Sequence, residues 1–262
     1  MITSIKNPSI QRVRDLLANK KHRDQAGEFV VEGVRLAEEA LEAGFRPSLA
    51  LFSAGLSERG RELIGRIDPR QTEVEEIESG LLERVSDTET PQGLLIVFKK
   101  KPFSGQAGRE PVLVLDQMRD PGNLGTILRS ACAFGFAEVI LTPGSADPFS
   151  PKALRSGMGA QFKLPVDFMD AAQIEQTCKH GAGEPLRICL ADAQGRKSSW
   201  EADFSQPLCL IIGSEAFGAE AAIRQIADCT VSIPMQAHNE SLNAAMSASI
   251  LLYEVYRQRK IQ

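Results

Sequence analysis

The sequence predicts an α/β fold in two domains, the second built around a parallel sheet. In residues 111–262 the apolar runs, such as Leu208–Ile212, are continuous rather than alternating, which is typical of strands buried on both faces of a parallel sheet. A stretch of loop composition at residues 101–110 separates these runs from a smaller region of mixed helix and strand patterns. We therefore expect an α/β domain at residues 1–100, a linker at 101–110 and a second α/β domain at 111–262.

Short helical and strand patterns alternate through the first domain. The first is a helix at 7–20, where Ile10, Val13 and Leu16 recur at helical spacing. Gly44 ends the second helix. In chain order the patterns occupy residues 7–20, 29–31, 34–43, 49–52, 62–67, 73–77, 81–85 and 93–98.

The second domain repeats apolar strands and amphipathic helices. Its predicted strands are residues 111–115, 139–141, 188–190, 208–212 and 231–233. A helix at 123–134 has Asn123 as its expected N-cap, and Ser150 is expected to cap a short helix that begins at Pro151. A long closing helix covers 241–259, with Ser241 as its expected cap and Asn243 in its first turn.

Composition excludes several classes of protein. Of the 262 residues, 43% are hydrophobic and 24% charged, as in ordinary globular proteins. We find no apolar run near the ~18 residues of a membrane span, and no secretory signal at the N-terminus. The five cysteines include no C-x-x-C pair, so we expect reduced thiols in a cytoplasmic protein without a metal site.

Charge is unevenly distributed along the chain. The net charge of −4 counts against a generic basic nucleic-acid binder. Against Asp15, however, residues 1–23 carry six cations: Lys6, Arg12, Arg14, Lys20, Lys21 and Arg23. A basic stripe of this kind can bind phosphates. A solvated helix face explains this segment equally well.

Three loops follow predicted strands, where ligands of open parallel sheets bind. The first, residues 116–123, leads into a helix whose Arg129 lies off the apolar stripe. The second begins at Gly213, which permits close approach of a ligand, and continues to Glu215. The third covers residues 233–243. Taken singly, each loop is explained better by a capped helix or a surface charge. The sequence contains neither a P-loop nor a dinucleotide-binding fingerprint.

Together and in this order the loops resemble the three motifs of the SpoU (TrmH-type) RNA ribose 2′-O-methyltransferases of the SPOUT superfamily. The motif residues are Asn123, Gly125 and Arg129; then Gly213, Ser214, Glu215 and Gly218; then Ile233, Pro234 and Met235 followed by Ser241, Leu242 and Asn243. Residues 29–33 and 90–93 resemble the substrate-binding domain that is often fused to this enzyme. The resemblance covers nearly the whole chain.

The resemblance implies a function and a fold. It implies methylation of a ribose 2′-hydroxyl in structured RNA with S-adenosyl-L-methionine, ribosomal RNA being preferred and transfer RNA an alternative. It further implies a C-terminal trefoil knot and a homodimer. A non-catalytic RNA-binding relative, or a small-molecule enzyme of another α/β class, is the competing interpretation; the former would have lost Arg129 or Asn243, and we find no motif for the latter.

Roles for individual residues also come from the resemblance. The catalytic set is Arg129, Asn123, Glu215, Ser241 and Asn243, and the cofactor-binding set is Gly213, Ile233 and Leu242. The expected RNA-binding surface comprises Lys6, Arg12, Arg14, Lys20, Lys21, Arg23 and Arg35. One departure is Ala237, where the family usually has glycine.

Overall fold

The computed structural model describes residues 1–101, 110–181, 183–214, 218–236 and 242–260. The chain divides into two compact units. Unit 1 comprises Met1–Pro102 and Phe149–Phe162, and unit 2 comprises Phe103–Pro148 and Lys163–Gln262. No helix in the described ranges has the length and hydropathy that a bilayer crossing requires.

Helices and strands alternate along both units. The helices are α1 Pro8–Ala18, α2 Lys20–Ala26, α3 Val34–Glu42, α4 Glu58–Gly65, α5 Ser79–Val85, α6 Pro121–Ala133, α7 Pro151–Gly157, α8 Ala171–His180, α9 Ala221–Ile226 and α10 Ala244–Lys260. The strands are β1 Glu28–Glu32, β2 Pro47–Phe52, β3 Glu73–Glu76, β4 Leu94–Lys99, β5 Val112–Leu115, β6 Glu138–Leu141, β7 Val166–Phe168, β8 Arg187–Ala191, β9 Lys197–Ser198, β10 Leu208–Ile212 and β11 Cys229–Ser232. A short 3₁₀ helix covers Ala160–Phe162.

Unit 1 contains a four-stranded sheet in the order β1-β4-β2-β3. Strand β4 is antiparallel to β1 and β2, whereas β2 and β3 are parallel. The predicted stripe of α1, formed by Ile10, Val13 and Leu16, is buried in the core beside the sheet. The helical spacing seen in the sequence therefore marks the face that α1 buries.

The helix predicted at residues 7–20 ends at Ala18, and a second helix, α2, begins directly after it at Lys20. Asn19 leaves the helical region, with φ −135° and ψ 121°, and so ends α1. Its side chain then accepts a hydrogen bond from the backbone N–H of Lys21 (2.8 Å) and caps α2. Asparagine favours such caps because its short side chain competes with the backbone for hydrogen bonds.

We expected all of residues 111–262 to form one domain, whereas the segment Phe149–Phe162 packs with unit 1. The reason is a cluster of aromatic rings. Phe149 lies 4.6 Å from Phe29 between ring centroids, and Phe162 lies 5.2 Å from Phe45. Burial of these rings, rather than sequence order, attaches the segment to unit 1. Of the predicted linker, only Lys101 and Glu110 lie in the described ranges.

Unit 2 is built on a seven-stranded sheet in the order β7-β6-β5-β10-β8-β11-β9. Every pairing in it is parallel, so the predicted α/β class and parallel sheet are confirmed. The central strands β5 and β10 are buried along their whole length. Strands β7 and β9 were not predicted, because they are short edge strands without an apolar run.

Helices cover both faces of this sheet. On one face Val114 and Ile211 pack with Ile174 of α8 and Ile223 of α9. The predicted stripe of α6 is buried on the opposite side, where α6 contacts α10. The hydroxyls of Ser130 and Ser249 join these two helices at 2.8 Å. This contact joins the last turn of α6 to the first half of α10.

A buried carboxylate ties three loops at the carboxyl end of the sheet. Asp116 follows β5 and is fully buried. Its oxygens accept hydrogen bonds from the hydroxyl of Thr142 after β6 (2.6 Å) and from the backbone N–H of Glu220 before α9 (2.7 Å). The same hydroxyl accepts from the N–H of Gln117 (2.9 Å). Asp116 therefore fixes the loops after β5, β6 and β10 relative to one another.

Replacing Asp116 by alanine is expected to lower the free energy of unfolding by about 2–3 kcal/mol, because the buried Thr142 hydroxyl and Glu220 N–H lose their acceptor. Urea unfolding followed by circular dichroism measures the change. The control is Asp167→Ala on the exposed side of β7, which should change the free energy by less than about 0.5 kcal/mol. Equal values for the two variants would contradict the role given to Asp116.

Candidate active site

A cavity of about 570 Å³ opens at the carboxyl end of the unit 2 sheet. The loops after β8, β10 and β11 and the start of α10 form its walls. The three residues predicted to bind the cofactor, Gly213, Ile233 and Leu242, all line it. The remaining described lining residues are Ala191, Asp192, Ala193, Gln194, Ile212, Ser214, Gly218, Arg224, Val231, Met235, Ala244, Ser247 and Leu251. The structure thus places residues from two distant motifs around a single space.

The position of Gly213 requires glycine. A Cβ atom added there would lie 2.5 Å from the backbone nitrogen of Ala219 and from the carbonyl carbon of Gly218, which is closer than real Cβ contacts. The backbone returns to this point because Ser214 and Gly218 exchange two backbone hydrogen bonds of 3.0 Å. The loop therefore presents main-chain atoms, rather than a side chain, beside the cavity.

Two of the predicted catalytic residues meet between α6 and α10. The side-chain amide of Asn243 donates to the Oδ1 atom of Asn123 over 3.3 Å. Asn243 also accepts hydrogen bonds from the backbone N–H groups of Ala245 (2.9 Å) and Met246 (3.3 Å), so it caps α10. Motif 1 and motif 3, far apart in sequence, are in direct contact here.

The predicted capping residues of these helices need correction. Helix α6 begins at Pro121, and its N-cap is Asp120, whose side chain accepts from the N–H of Asn123 (2.8 Å). Proline at the first helical position favours this earlier start, and it places Asn123 inside the first turn. Helix α10 begins at Ala244, so Asn243 takes the capping position that Ser241 was expected to hold.

Arg129 lies on the exposed face of α6. Within the part of the chain that the structure describes, its guanidinium has no ion-pair partner. An exposed cation on α6, the helix that carries Asn123 in its first turn, is available to bind a phosphate or another anion. The predicted catalytic residues Glu215 and Ser241, and the unusual Ala237, lie outside the described residues.

The predicted RNA-binding surface belongs to unit 1 and is smaller than expected. Lys6, Arg14, Lys20, Lys21 and Arg35 are exposed. The other two cations are used within the fold.

Arg12 and Arg23 are the two cations of the expected RNA-binding surface that make contacts within the fold. The Nη2 and Nε atoms of Arg12 donate to the carboxylate of Glu28, at 2.6 and 3.1 Å. Arg23 is 4% exposed, and its Nη1 donates to the carbonyl oxygens of Leu16 (2.6 Å) and Leu17 (3.2 Å). These contacts secure α1, because a helix end leaves carbonyl groups without partners inside the helix. A count of cations along the sequence cannot distinguish the buried Arg23 or the ion-paired Arg12 from fully exposed cations.

Sequence reasoning missed two charged residues in the cavity wall. Asp192 follows β8, and Arg224 of α9 forms an ion pair with it. The hydrogen bond from Arg224, and next that from the N–H of Gln194, lower the pKa of the Asp192 carboxyl. Both residues lie in loops or short helices without a motif, so only the structure reveals their pairing. No cluster of metal-ligating side chains is found within the described ranges.

Comparison with known proteins identifies two families in the chain. The SpoU rRNA Methylase family matches residues 110–253. The MRM3-like substrate binding domain matches residues 7–96. The two matches fall on the second and first predicted domains.

Similar proteins align along almost the whole chain. The 23S rRNA (uridine(2479)-2′-O)-methyltransferase of Streptomyces viridochromogenes is 34% identical over 98% of this chain and 92% of the relative. The 23S rRNA (guanosine(2553)-2′-O)-methyltransferase RlmP of Bacillus subtilis is 32% identical over 97% of this chain and 98% of the relative. The crystal structure of the SpoU methyltransferase AviRb from Streptomyces viridochromogenes, in complex with AdoMet, has a TM-score of 0.90 and 33% identity, covering 97% of this chain and 99% of that one.

Four observations agree with one another. The sheet of unit 2 is parallel, one cavity is lined by residues of motifs 2 and 3, motifs 1 and 3 are in contact, and the similarity extends along the full chain. The chain therefore belongs to the SpoU rRNA methylase family.

Proposed function

We propose that this protein transfers a methyl group from S-adenosyl-L-methionine to a ribose 2′-hydroxyl of ribosomal RNA. The observation that carries the proposal is the cavity of unit 2, where Gly213, Ile233 and Leu242 converge. The resemblance to the SpoU motifs assigns these same three residues to the cofactor. Membership of the SpoU family and the AdoMet-bound neighbour support the same cofactor.

The residues present fit this cofactor. A volume of about 570 Å³ lies within the range of pockets that hold molecules of this size. Ile212, Val231 and Leu251 supply apolar walls, and the loop at Gly213 supplies backbone donors and acceptors. S-adenosyl-L-methionine supplies an electrophilic methyl group on a sulfonium when it is bound.

The protein side chains have two tasks in this reaction. They must hold the ribose 2′-oxygen in line with the methyl group, and they must stabilise the charge that develops as the hydroxyl proton leaves. Arginine is a permanent cation under ordinary conditions, so we propose that Arg129 acts through its charge, by binding an RNA phosphate and the developing oxyanion. Asn123 and Asn243 contact each other and so join the start of α10 to the start of α6, the helix that carries Arg129.

Glu215 and Ser241 complete the proposed catalytic set. Ser214, which precedes Glu215 in the sequence, exchanges backbone hydrogen bonds with Gly218. Asn243, two positions after Ser241, caps α10. The proposed chemistry requires no metal ion.

Ribosomal RNA is the proposed substrate rather than transfer RNA. The two named relatives act on 23S rRNA, and each aligns with more than nine tenths of this chain, unit 1 included. The family that matches residues 7–96 is a substrate-binding domain. Because the two relatives modify different nucleotides, a uridine and a guanosine, their names do not transfer a target position to this protein.

Unit 1 is proposed to bind the RNA backbone. Its exposed cations Lys6, Arg14, Lys20, Lys21 and Arg35 supply the charge. Structured RNA is recognised largely through its phosphates, its shape and its 2′-hydroxyls, which suits a separate docking unit. Arg12 and Arg23 support this surface from within the fold.

We further propose a trefoil knot at the C-terminus and a homodimer in the cytoplasm. Family membership supports the knot, and so does the position of β10 between β5 and β8 with α10 returning to α6.

An apolar strip on unit 2 supports the dimer: it contains Trp200, Ile250 and Tyr253, with Trp200 76% exposed. The cytoplasm is proposed because the bacterial relatives act on 23S rRNA, which cytoplasmic ribosomes contain.

Replacing Arg129 by alanine is expected to reduce methyl transfer to ribosomal RNA by at least about 100-fold, because the developing charge loses its stabilising cation. The assay uses S-adenosylmethionine labelled in its methyl group and ribosomal RNA from cells that lack the protein. A ribose 2′-O-methyl product resists alkaline cleavage at the next phosphate, which distinguishes it from base methylation. Transfer RNA is the parallel substrate.

The matched control is Arg70→Ala, an exposed arginine of unit 1 outside the proposed sites, which should retain full activity. Arg129→Ala should bind the cofactor within about twofold of the unaltered protein, since Arg129 does not line the cavity. Activity of Arg129→Ala close to that of Arg70→Ala would refute the catalytic assignment.

Replacing both Arg14 and Lys21 by alanine is expected to weaken RNA binding and its dependence on salt. If each cation contacts one phosphate, the slope of log affinity against log salt concentration should decrease in magnitude by about 1.4–1.8. Filter binding across a salt series measures the slope. Arg70→Ala serves again as the control, and an unchanged slope in the double variant would exclude this surface.

A further inference from the structure

An ion pair crosses the wall of the cofactor cavity. Asp192 is the first residue after β8, and Arg224 lies in α9, beyond the loop that follows β10. Both side chains line the cavity. The Asp192 side chain is 18% exposed and that of Arg224 45%. The pair therefore lies at the cavity edge rather than in the core.

The hydrogen bonds of the pair join two separate loops. The Nη1 atom of Arg224 donates to a carboxylate oxygen of Asp192, and its Nε atom donates to the carbonyl oxygen of Ala219 over 3.0 Å. The other carboxylate oxygen of Asp192 accepts from the N–H of Gln194 over 2.8 Å. Arg224 thus binds the loop after β10 through its Nε atom and the loop after β8 through its Nη1 atom.

The guanidinium of Arg224 lies close to the backbone of Gly218, which has no side chain to obstruct it. Gly218 has φ +67°, and a Cβ atom there would lie 2.8 Å from the Nη2 atom of Arg224. Gly218 is also the residue that exchanges backbone hydrogen bonds with Ser214. The guanidinium consequently lies against the backbone of Gly218.

We propose that Asp192 and Arg224 form a latch that holds two walls of the cavity in the conformation that binds S-adenosylmethionine. The latch rests on the proposed function, and it makes Asp192 and Arg224 positioning residues. A partly exposed ion pair adds little to folding stability. Its effect is therefore expected on cofactor affinity, through the geometry of the two loops, and not on unfolding.

The latch and direct contact with the cofactor predict different couplings. If Asp192 instead touched the cofactor by itself, removal of Arg224 would have an independent effect, and the two losses would multiply. If the two residues act only through each other, either substitution breaks the latch and the second adds nothing.

The experiment measures the dissociation constant of S-adenosylmethionine by isothermal titration calorimetry for the full chain and four variants. Asp192→Asn and Arg224→Gln should each weaken binding by about fivefold, and the double variant should be no weaker than either. Arg224→Lys keeps the charge but loses the Nε–H bond to Ala219. Its dissociation constant should therefore fall between those of the unaltered protein and Arg224→Gln. Turnover at saturating cofactor and the thermal unfolding midpoint should remain unchanged, which a general structural defect would not allow.

Glu38→Gln is the matched control, because Glu38 forms a similar surface ion pair with Arg59 in unit 1. It should leave the dissociation constant unchanged. Unaltered affinity in both single variants, or multiplied losses in the double variant, would overturn the latch while the proposed function stands. Absence of binding by the unaltered protein would overturn the proposed function, and the latch with it.

Discussion

The buried carboxylate of Asp116 is the contact from which the geometry of the site follows. A charge removed from water must be hydrogen-bonded, and Asp116 obtains its donors from Thr142 and from the backbone N–H of Glu220. Glu220 immediately precedes α9, so the same contact sets the position of Arg224. Arg224 in turn holds Ala219 and Asp192. One acidic residue after β5 thereby orients two further loops that form the cavity.

The order of strands explains why so few side chains identify this site. Because β10 lies between β5 and β8, loops that are distant in sequence end beside one another. Gly213 contributes only backbone at this edge, and Asn123 contacts Asn243 where the starts of α6 and α10 meet. A site assembled from main-chain atoms requires glycine at Gly213 but leaves few diagnostic side chains around it. Each motif therefore resembles an ordinary capped helix until the three are considered together.

The sequence predicts what depends on local pattern. Continuous apolar runs predict the five longer strands of the unit 2 sheet, and helical spacing predicts the buried face of α6. Edge strands β7 and β9 lack that pattern. Contacts between distant residues were missed for a different reason: nothing near Arg23 in sequence indicates that it is buried, and nothing near Phe149 indicates that it joins unit 1. The pairing of Asp192 with Arg224 likewise depends on the tertiary fold.

The central claim, ribose methylation of ribosomal RNA, is tested most directly by mass spectrometry of ribosomal RNA nucleosides from cells with and without the protein. We predict that one 2′-O-methylnucleoside is lost from a single position in the cells that lack it, and that expression of the protein restores it. An unchanged set of 2′-O-methylnucleosides in ribosomal RNA, or loss of a base methylation instead, would contradict the claim.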